Sequence, residues 1–308
     1  GNAFRRNILV AEGAGTRVFR WEGLPFARNV SDRNVVWAGG RPIRTGRIMA
    51  KAVQGPNLIE NPGCEAGPVG GLPESWSWAL GASDDAKVAV VSGEAHSGTR
   101  SLAITHGSGN ARTPGAVTMA APGRSYPYVP GAAYVFEAWL RSDTERGDVR
   151  LEAYSWKHGA HSWVADTPIR VTPKWTLHRL VFRLPDRLSS EYRDTMDTFQ
   201  VRISVSPLEG TVWVDDVSLR KAVPTDEWSA WRALGLDRGS VVGDPGFVAA
   251  SRGDYRLKAN SPALKLGFVP LPLERMGPYK SSDRATWPII EARGAREMLR
   301  ERPKGAVR

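Results

Sequence analysis

The chain has 308 residues, of which 41% are apolar and 24% are charged, and its formal net charge is +10. This composition suits a globular protein of about two domains and excludes a disordered or fibrous chain. A single cysteine, Cys64, excludes an intrachain disulfide, and no apolar run reaches the roughly 20 residues of a membrane span. The arginines are scattered and accompany no nucleic-acid-binding motif, so we expect a solvated basic surface and no nucleic-acid partner.

Residues 1–50 contain a short repeat. Arg6-Asn-Ile-Leu-Val10 recurs as Arg33-Asn-Val-Val-Trp37 after 27 residues, each copy being a short apolar strand behind a polar turn. Periods of this length are typical of stacked coils, which bury their faces only against neighbouring coils. The repeat therefore predicts further coils upstream, and the alternative is a chance match of five residues. Because the chain begins with Gly, we interpret it as part of a longer protein in which a signal peptide cannot be assessed.

Residues 57–221 consist of short alternating runs separated by turns rich in Gly, Pro, Ser and Asp. In Phe199-Gln-Val-Arg-Ile-Ser-Val205 every second residue is apolar. That period suits a half-buried antiparallel strand and no helix. Several such runs in succession predict a β-sandwich.

Three motifs in this stretch occur in a fixed order: Asn57-Leu-Ile-Glu-Asn-Pro-Gly-Cys-Glu65, Ser97-Gly-Thr-Arg-Ser-Leu102 and Val214-Asp-Asp-Val-Ser-Leu219. Together they resemble the jelly-roll carbohydrate-binding modules of families 4, 9 and 22. The resemblance covers residues 57–221, just over half of the chain. It implies a jelly-roll β-sandwich whose partner is a polysaccharide.

The same resemblance implies a structural Ca²⁺ ion. Its ligands would be Glu65, Asp215 and the carbonyl groups near Ser97 and Arg100, the mixture of carboxylate and carbonyl oxygens that this hard cation takes. The alternative is that Glu65 and Asp215 are solvated loop acids. Asp216, the next residue of the strand, is expected to point to the opposite face.

Three aromatic residues are predicted to bind carbohydrate. Tyr154 and Trp156 alternate with the apolar residues of their strand and so share a polar face, and Trp139 falls between two charged positions of another strand. Flat rings on a polar face stack on sugars while neighbouring polar groups bond the hydroxyls. The alternative is that these rings cover another layer or an inter-domain contact.

Other conspicuous side chains receive structural interpretations. At least one of Trp76 and Trp78 is expected in the core, and Cys64 is expected to be a small buried hydrophobe rather than a reactive thiol. His158 and His161 lack the further ligands at fixed spacing that a zinc site requires.

A helix is expected after the sandwich. Thr225 can cap it, two acids follow in its first turn, Trp228, Trp231 and Leu234 fall on one face, and Gly235 ends it. Three further motifs come next: Ser240-Val-Val-Gly-Asp-Pro-Gly-Phe-Val248, Gly253-Asp-Tyr-Arg-Leu257 and Ser261-Pro-Ala-Leu-Lys-Leu-Gly-Phe268.

With Asn34-Val-Val-Trp37, this series resembles the C-terminal coils of secreted right-handed parallel β-helix proteins, a group rich in glycoside hydrolases and polysaccharide lyases. The departure from that pattern is the jelly roll that interrupts it. We interpret residues 1–50 and 222–280 as coils of one β-helix and residues 281–308 as a basic tail. The jelly roll would be inserted in a surface loop, with junctions at Thr45-Gly-Arg47 and Ala222-Val-Pro224.

The predicted fold is therefore all-β: a jelly-roll sandwich inserted into the C-terminal coils of a right-handed parallel β-helix. The resemblances imply part of a secreted, cell-surface or periplasmic glycoside hydrolase, in which the sandwich binds polysaccharide and this part of the chain is not itself expected to be catalytic. The alternatives are a non-catalytic adhesin or stalk whose sandwich contacts protein, and a lyase acting on acidic glycan. No catalytic residue is nominated: Asp32, Asp237 and Asp244 are acids of the coils, and Asp244 before Pro245 is assigned to a turn.

Overall fold

The computed structural model describes residues 1–13, 15–19, 28–46, 48–79, 87–106, 115–119, 125–144, 149–157, 160–189, 191–205 and 210–270. Most regular structure in these residues is β-strand, accompanied by the short helices α1 (Glu227–Ala233) and α2 (Pro262–Lys265). Among the residues so described, no helix has the length and apolar character needed to cross a bilayer. The predicted basic tail, residues 281–308, lies outside them.

Two antiparallel sheets form a sandwich in the middle of the chain. The first sheet contains, in spatial order, β13 (Ala160–Ile169), β12 (Val149–Lys157), β15 (Thr198–Val205), β9 (Gly115–Met119) and β6 (Trp76–Ala79), with β10 (Tyr126–Pro127) also paired to β15. The second contains β14 (Thr176–Arg183), β11 (Ala133–Ser142), β16 (Gly210–Pro224), β8 (Arg100–His106) and β7 (Lys87–Ser92), with β5 (Ala50–Gln54) also paired to β16. The predicted β-sandwich is confirmed.

The sandwich core lies between the two sheets. All four alternating apolar residues of β15 are fully buried there, as their period of two requires: Phe199, Val201, Ile203 and Val205. Cys64 is also fully buried in this core, and burial raises the pKa of its thiol far above the ordinary value. The interpretation of Cys64 as a small buried hydrophobe is confirmed.

Short parallel strands stack on one another in the flanking segments. β1 (Ala3–Arg5) pairs with β3 (Val30–Asp32), and β2 (Ile8–Val10) pairs with β4 (Val35–Trp37), so the two copies of the repeat lie in register. β17 (Val241–Val242), from beyond the sandwich, adds to the other edge of β4. The predicted stacking of the two copies is confirmed, whereas the right-handed β-helix stays a prediction.

Helix α1 joins the flanking segments to each other. Its N-cap is Asp226, whose carboxylate accepts a hydrogen bond from the Ser229 backbone N–H at 2.9 Å. The expected cap at Thr225 is therefore wrong by one residue, because Thr225 instead continues the pairing with Met49 through its backbone N–H. Leu234 caps the other end, and Gly235 follows with a φ of 87°.

The described residues that follow β17 form a hairpin and a short helix that contact each other. β18 (Phe247–Ala249) and β19 (Asp254–Leu257) form an antiparallel pair, with a 3-10 turn, Ala250–Arg252, between them. Ser261 caps α2 and also donates to the Pro245 carbonyl at 2.6 Å. The Ser-Pro motif therefore fastens α2 to the turn before β18.

One junction of the sandwich, Ala222–Pro224, is part of a strand rather than a loop, whereas Thr45 and Gly46 lie before β5 and outside any strand. β16 passes without interruption through the predicted boundary at Lys221 and ends at Pro224, paired along its last residues with β5. The entering and leaving strands thus form a two-stranded ribbon continuous with the second sheet. A single strand, β16, belongs both to the sandwich and to its connection.

Candidate functional site

The outer face of the first sheet carries a cluster of aromatic and charged side chains, which we call the Trp163 face and define by Glu152, Tyr154, Trp163 and Arg202. Tyr154 lies on the face predicted for it, on the other side of the sheet from the buried side chains of Val201 and Ile203. Its ring is nevertheless only 3% exposed, so the expectation of a solvent-facing ring is wrong. The Arg202 guanidinium lies 3.8 Å from the Tyr154 ring centroid and covers one side of the ring.

A β-bulge brings Trp163 into this cluster. The pairing of β12 with β13 shifts between Ala153 and Tyr154, so Tyr154 lies opposite Trp163 and Ala153 lies opposite Ala165. The residue between them, Val164, packs against the sandwich core. Trp163 therefore emerges on the outer face, where it is 47% exposed and meets the Tyr154 ring edge-on at 4.8 Å. Sequence periodicity did not identify Trp163, because the bulge depends on two strands.

Glu152 is the anionic centre of the face. It is 4% exposed although it points away from the core, and its Oε2 accepts hydrogen bonds from Arg202 Nε at 2.6 Å and the Tyr154 hydroxyl at 3.1 Å. The Ser204 hydroxyl donates to the same oxygen. Burial, followed by the charge of Glu152, raises the pKa of the Tyr154 hydroxyl, which therefore remains a neutral donor.

A second ion pair lies beside this centre. Arg150 of β12 donates to Asp166 of β13 at 2.8 Å, and both side chains are partly exposed. Arg202 and Arg150 are thus each matched by a carboxylate on a neighbouring strand. The result is a polar surface in which these charges are balanced locally beside the exposed indole ring of Trp163.

Of the other predicted sugar-binding rings, Trp139 lies away from this cluster. Trp139 lies on the outer face of the second sheet, where it stacks on His96 with the ring centroids 3.8 Å apart. The backbone of Trp156 lies in β12 opposite His161 and Thr198, but its side chain is outside the described part of the structure. Trp139 and Tyr154 consequently cannot contribute to a single surface.

Of Trp76, Trp78, His158 and His161, the structure describes only some side chains. Trp76 is buried in the core and donates its Nε1–H to the Glu60 carbonyl at 2.8 Å, so the expectation of one core tryptophan is confirmed. The side chain of Trp78 lies outside the described residues, as do His158 and the side chain of His161.

The residues predicted to hold Ca²⁺ surround one turn, residues 96–100. Glu65 accepts hydrogen bonds from the backbone N–H groups of Thr99 at 2.7 Å and Arg100 at 3.0 Å, and from the Thr99 hydroxyl at 2.9 Å. Asp215, fully buried, accepts from the backbone N–H groups of His96 at 2.7 Å and Ser97 at 3.0 Å. The structure thus brings both predicted carboxylates to the predicted turn.

Asp216 reaches the same turn, which corrects the expectation that it would point to the opposite face. Its φ of 45° interrupts the alternation of side chains along β16, and the pairing of β16 with β11 shifts at this point. The Asp216 carboxylate therefore accepts from the Ser97 hydroxyl at 2.8 Å and lies 2.6 Å from His96 Nδ1. A bulge turns two successive acids toward one loop.

Carboxylates of this kind supply the anionic oxygens that Ca²⁺ prefers. In the structure they accept hydrogen bonds from N–H and O–H donors. Hydrogen bonds from Thr99 lower the pKa of Glu65, whereas burial raises the pKa of Asp215. Within the described ranges, no three His, Cys, Asp or Glu side chains converge as a metal site. The turn is thus held by hydrogen bonds, and calcium binding stays a prediction.

The acids of the flanking segments have structural partners. Asp237 is fully buried and accepts hydrogen bonds from Ser31, Asn34, Trp231 and Ser240 at 2.5 to 2.8 Å. This carboxylate ties the segments before β4 and β17 to α1. Its role there is to satisfy buried donors.

The two remaining acids hold turns. Asp32 accepts from the Gly239 backbone N–H at 2.7 Å, and Asp244 accepts from the Gly246 backbone N–H at the same distance. The turn role predicted for Asp244 is confirmed.

No family model matches the chain, and no curated protein matches it. Solved structures similar to it include the CBM22-1 xylan-binding domain of Paenibacillus barcinonensis Xyn10C, with 15% identity over 56% of this chain and 97% of that one and a TM-score of 0.38. A Stig cyclase, Fisc, from Fischerella sp. TAU matches with 13% identity over 54% of this chain and 96% of that one, at a TM-score of 0.40.

The enzymatically active domain of tailspike protein 4 of bacteriophage CBA120 matches with 13% identity over 54% of this chain, at a TM-score of 0.38. This chain covers only 21% of that tailspike chain. Similarity at this level assigns no function, so a functional proposal depends on the residues of the site.

Proposed function

We propose that the sandwich binds a neutral polysaccharide through the Trp163 face. The observation that carries this proposal is the exposed indole of Trp163, presented on a β-sheet face beside fixed polar groups. An indole face stacks on the C–H groups of a sugar ring, and neighbouring polar groups bond its hydroxyls. Sugar recognition requires both elements in one place, and the Trp163 face has both.

Tyr154 supports this surface in a role different from the one predicted. Its ring is enclosed by Arg202 and the edge of Trp163, so it positions the exposed indole and the guanidinium. A ring held this way reduces the rotamer entropy that Trp163 loses on binding. Trp156, on the same strand, remains a predicted participant.

The charge pattern supports a neutral ligand over an acidic glycan. Arg202 is paired with Glu152 at 2.6 Å and Arg150 with Asp166 at 2.8 Å. A uronate carboxylate would have to compete with these carboxylates for the guanidinium groups and would meet their negative charge. Sugar hydroxyls, by contrast, carry no charge and would not compete with Glu152 and Asp166 for the guanidinium groups.

The wider setting is also part of the proposal. Parallel strands in register on both sides of the inserted sandwich support the interpretation of the flanking segments as coils of a β-helix. We propose that the parent is a secreted glycoside hydrolase and that Ca²⁺ binds at the turn beside Glu65 and Asp215. The support for calcium is the convergence of these acids on residues 96–100.

The experiment is affinity electrophoresis of the whole chain on neutral xylans, glucans and galactans, and on acidic pectate and alginate. We expect retardation by at least one neutral glycan, and Trp163→Ala should weaken that binding by about 1–3 kcal/mol, as for other aromatic contacts. The matched control is Tyr255→Ala, since Tyr255 is an exposed aromatic residue, 56% accessible, outside the sandwich.

Melting temperatures distinguish a lost ligand contact from a damaged fold. Trp163→Ala should leave stability within about 0.5 kcal/mol, because an exposed ring leaves no core cavity. Retardation by acidic glycans alone would favour the lyase alternative. No retardation by any glycan would reject the proposal and favour a protein-contact module.

A further inference from the structure

Trp213 lies on the outer face of the second sheet. Its neighbours along β16, Val212 and Val214, are fully buried in the sandwich core, so the indole alternates to the other side of the sheet. The Arg141 guanidinium lies over the indole, 4.6 Å from its centroid, and is paired with Glu94 at 2.7 Å. Because the guanidinium covers one face of the ring, the exposed part of this half-buried side chain belongs to its edge and its opposite face.

The residues beside Trp213 on the side away from Arg141 are small. Arg141 belongs to β11, on one side of β16, and β8 lies on the other side. Trp213 pairs with Ala103 of β8, and Ala103 pairs with Ala89 of β7. Because an alanine side chain ends at Cβ, neither residue rises beside the indole. A shallow depression therefore crosses two strands, roughly 10 Å wide, next to the ring.

Polar side chains border this depression. Two residues away along the strands, Thr211 of β16 pairs with Thr105 of β8, and Thr105 pairs with Lys87 of β7, on the same face of the sheet. The Thr105 hydroxyl donates to the Lys87 carbonyl at 3.4 Å, and a hydroxyl that donates can still accept. We call this surface the Trp213 slot and define it by Trp213, Ala103, Ala89, Thr105 and Thr211.

We propose that the Trp213 slot is a second glycan site, in which one sugar unit of a neutral polysaccharide stacks on the indole. The proposal rests on the proposed function for the class of ligand, but it uses none of the residues of the Trp163 face. An aromatic ring beside hydroxyl groups is the combination that sugar recognition uses. The ion pair of Arg141 with Glu94 balances the charge against the ring, which favours an uncharged ligand.

Trp139, the ring predicted from the sequence to bind carbohydrate on this sheet, is not part of the slot. It belongs to β11, on the other side of β16 from Ala103, and His96 already stacks on its ring at 3.8 Å. Trp213 was not identified from the sequence, because its open side depends on small residues in two strands that lie more than a hundred residues earlier.

The two glycan sites lie on opposite sides of the sandwich. Trp163 emerges from the outer face of the first sheet and Trp213 from the outer face of the second, and packed sheets lie about 10 Å apart. One short glycan segment therefore cannot contact both indoles. The sandwich would hold two chains, or two segments of one chain, which raises its avidity for a polymer without any change at either site.

The test is isothermal titration calorimetry of the whole chain with soluble oligosaccharides of xylan, glucan and galactan. For a glycan that binds, we expect two sites in the parent, one in Trp163→Ala, one in Trp213→Ala and none in the double variant. Ala103→Leu fills the slot but keeps the indole, so it should remove the same site as Trp213→Ala. The matched control is Leu177→Ala, which alters a side chain on the same sheet face that is 41% exposed and should preserve both sites.

The residual binding of Trp163→Ala should weaken by about tenfold or more when Trp213→Ala or Ala103→Leu is added. Loss of all binding in Trp163→Ala alone would overturn the second site, as would residual binding that Ala103→Leu leaves unchanged. Binding that Trp213→Ala abolishes and Trp163→Ala preserves would instead reject the Trp163 face and support the slot. If the parent binds none of these glycans, both sites are rejected.

Melting temperatures of the same variants separate a lost ligand contact from a damaged fold. Trp213→Ala also removes the contact of the indole with Arg141, so this variant could fail to fold. Ala103→Leu keeps that contact, and its titration decides the proposal in that case.

Discussion

The ring of Trp231 lies nearly parallel to that of Phe19, with centroids 4.6 Å apart and planes inclined by 10°. Trp231 belongs to α1, which follows the sandwich, whereas Phe19 belongs to the segment that precedes it. The Trp231 Nε1–H donates to the buried Asp237 at 2.8 Å. One side chain therefore provides both an apolar contact and a polar contact between the two flanking segments.

Trp231→Ala should destabilise the flanking structure strongly. Removing a fully buried indole leaves a cavity beside Phe19 and deprives Asp237 of a donor, for which we expect a loss of about 3–5 kcal/mol. Urea denaturation followed by circular dichroism measures it, with Tyr255→Ala as the exposed aromatic control. A loss below about 1 kcal/mol would contradict the packing role of Trp231.

Glu227 should fix the sandwich to its flanks. Its Oε2 accepts from the backbone N–H groups of Thr45 and Gly46 at 2.7 Å each, and its Oε1 from Arg183 at 3.2 Å. Glu227→Ala removes these three hydrogen bonds and should cost about 1–3 kcal/mol. Limited proteolysis should then cut the ribbon of β5 and β16 faster than in the parent.

Glu227→Gln separates the two contributions. The amide oxygen can still accept from the backbone N–H groups, but the charge that pairs with Arg183 is lost. We expect the glutamine variant to lie between the parent and Glu227→Ala in thermal denaturation, and its difference from the parent to shrink in high salt. Identical melting of all three proteins would contradict the anchoring role.

Calcium should raise the melting temperature if the acids around residues 96–100 bind it. Free Ca²⁺ at a hundred times its Kd adds about 2.7 kcal/mol to a folded state that alone binds it. Glu65→Ala should remove most of the difference between calcium and chelator, whereas Glu94→Ala, which alters a carboxylate paired with Arg141, should preserve it. Equal melting of the parent in calcium and in chelator would reject the site.

The pH dependence of stability should carry opposite contributions from two acids. Hydrogen bonds lower the pKa of Glu65 from its ordinary 4.5, so its stabilising contribution is present above that value and is lost as the pH falls through the folded-state pKa. Burial raises the pKa of Asp215, so its contribution at neutral pH is destabilising and is relieved on acidification.

The measurement is the free energy of unfolding from about pH 3 to pH 6 in the presence of chelator, for the parent, Glu65→Gln and Asp215→Asn. Relative to the parent, Glu65→Gln should lose less stability on acidification. Asp215→Asn should lose more, because it lacks the compensating relief. The reverse order would contradict the assigned directions.

Features encoded within one strand could be predicted from the sequence. The alternation in β15 and the repeat shared by β2 and β4 are local patterns of apolar residues, and burial follows them directly. Burial on one side of a strand is set by physics that acts over a few residues. The placement of Glu65 and Asp215 near one turn was instead implied by the resemblance of their motifs to carbohydrate-binding modules, because each acid lies far from that turn in sequence.

Features that depend on how two strands meet could not be predicted. The bulge at Asp216 and the shift beside Tyr154 change which residues face outward, and neither changes the spacing of the sequence. Tyr154 is buried because Arg202, from a strand 48 residues later, lies over its ring. The alternation of residues along β12 predicted the face of the sheet on which Tyr154 lies, but it could not predict how much of the side chain is exposed to solvent.

The ribbon of β5 and β16 brings Gln54 and Lys221 directly opposite each other. Residues so paired can be joined by a tight hairpin turn. The whole sandwich could thus be excised and replaced by a few turn residues, with loss of the pairings of Arg17 with Glu191, of Arg44 with Asp186 and of Arg183 with Glu227. The sandwich is, in this geometric sense, an interchangeable part: another domain whose first and last strands are antiparallel neighbours could be grafted at the same two positions.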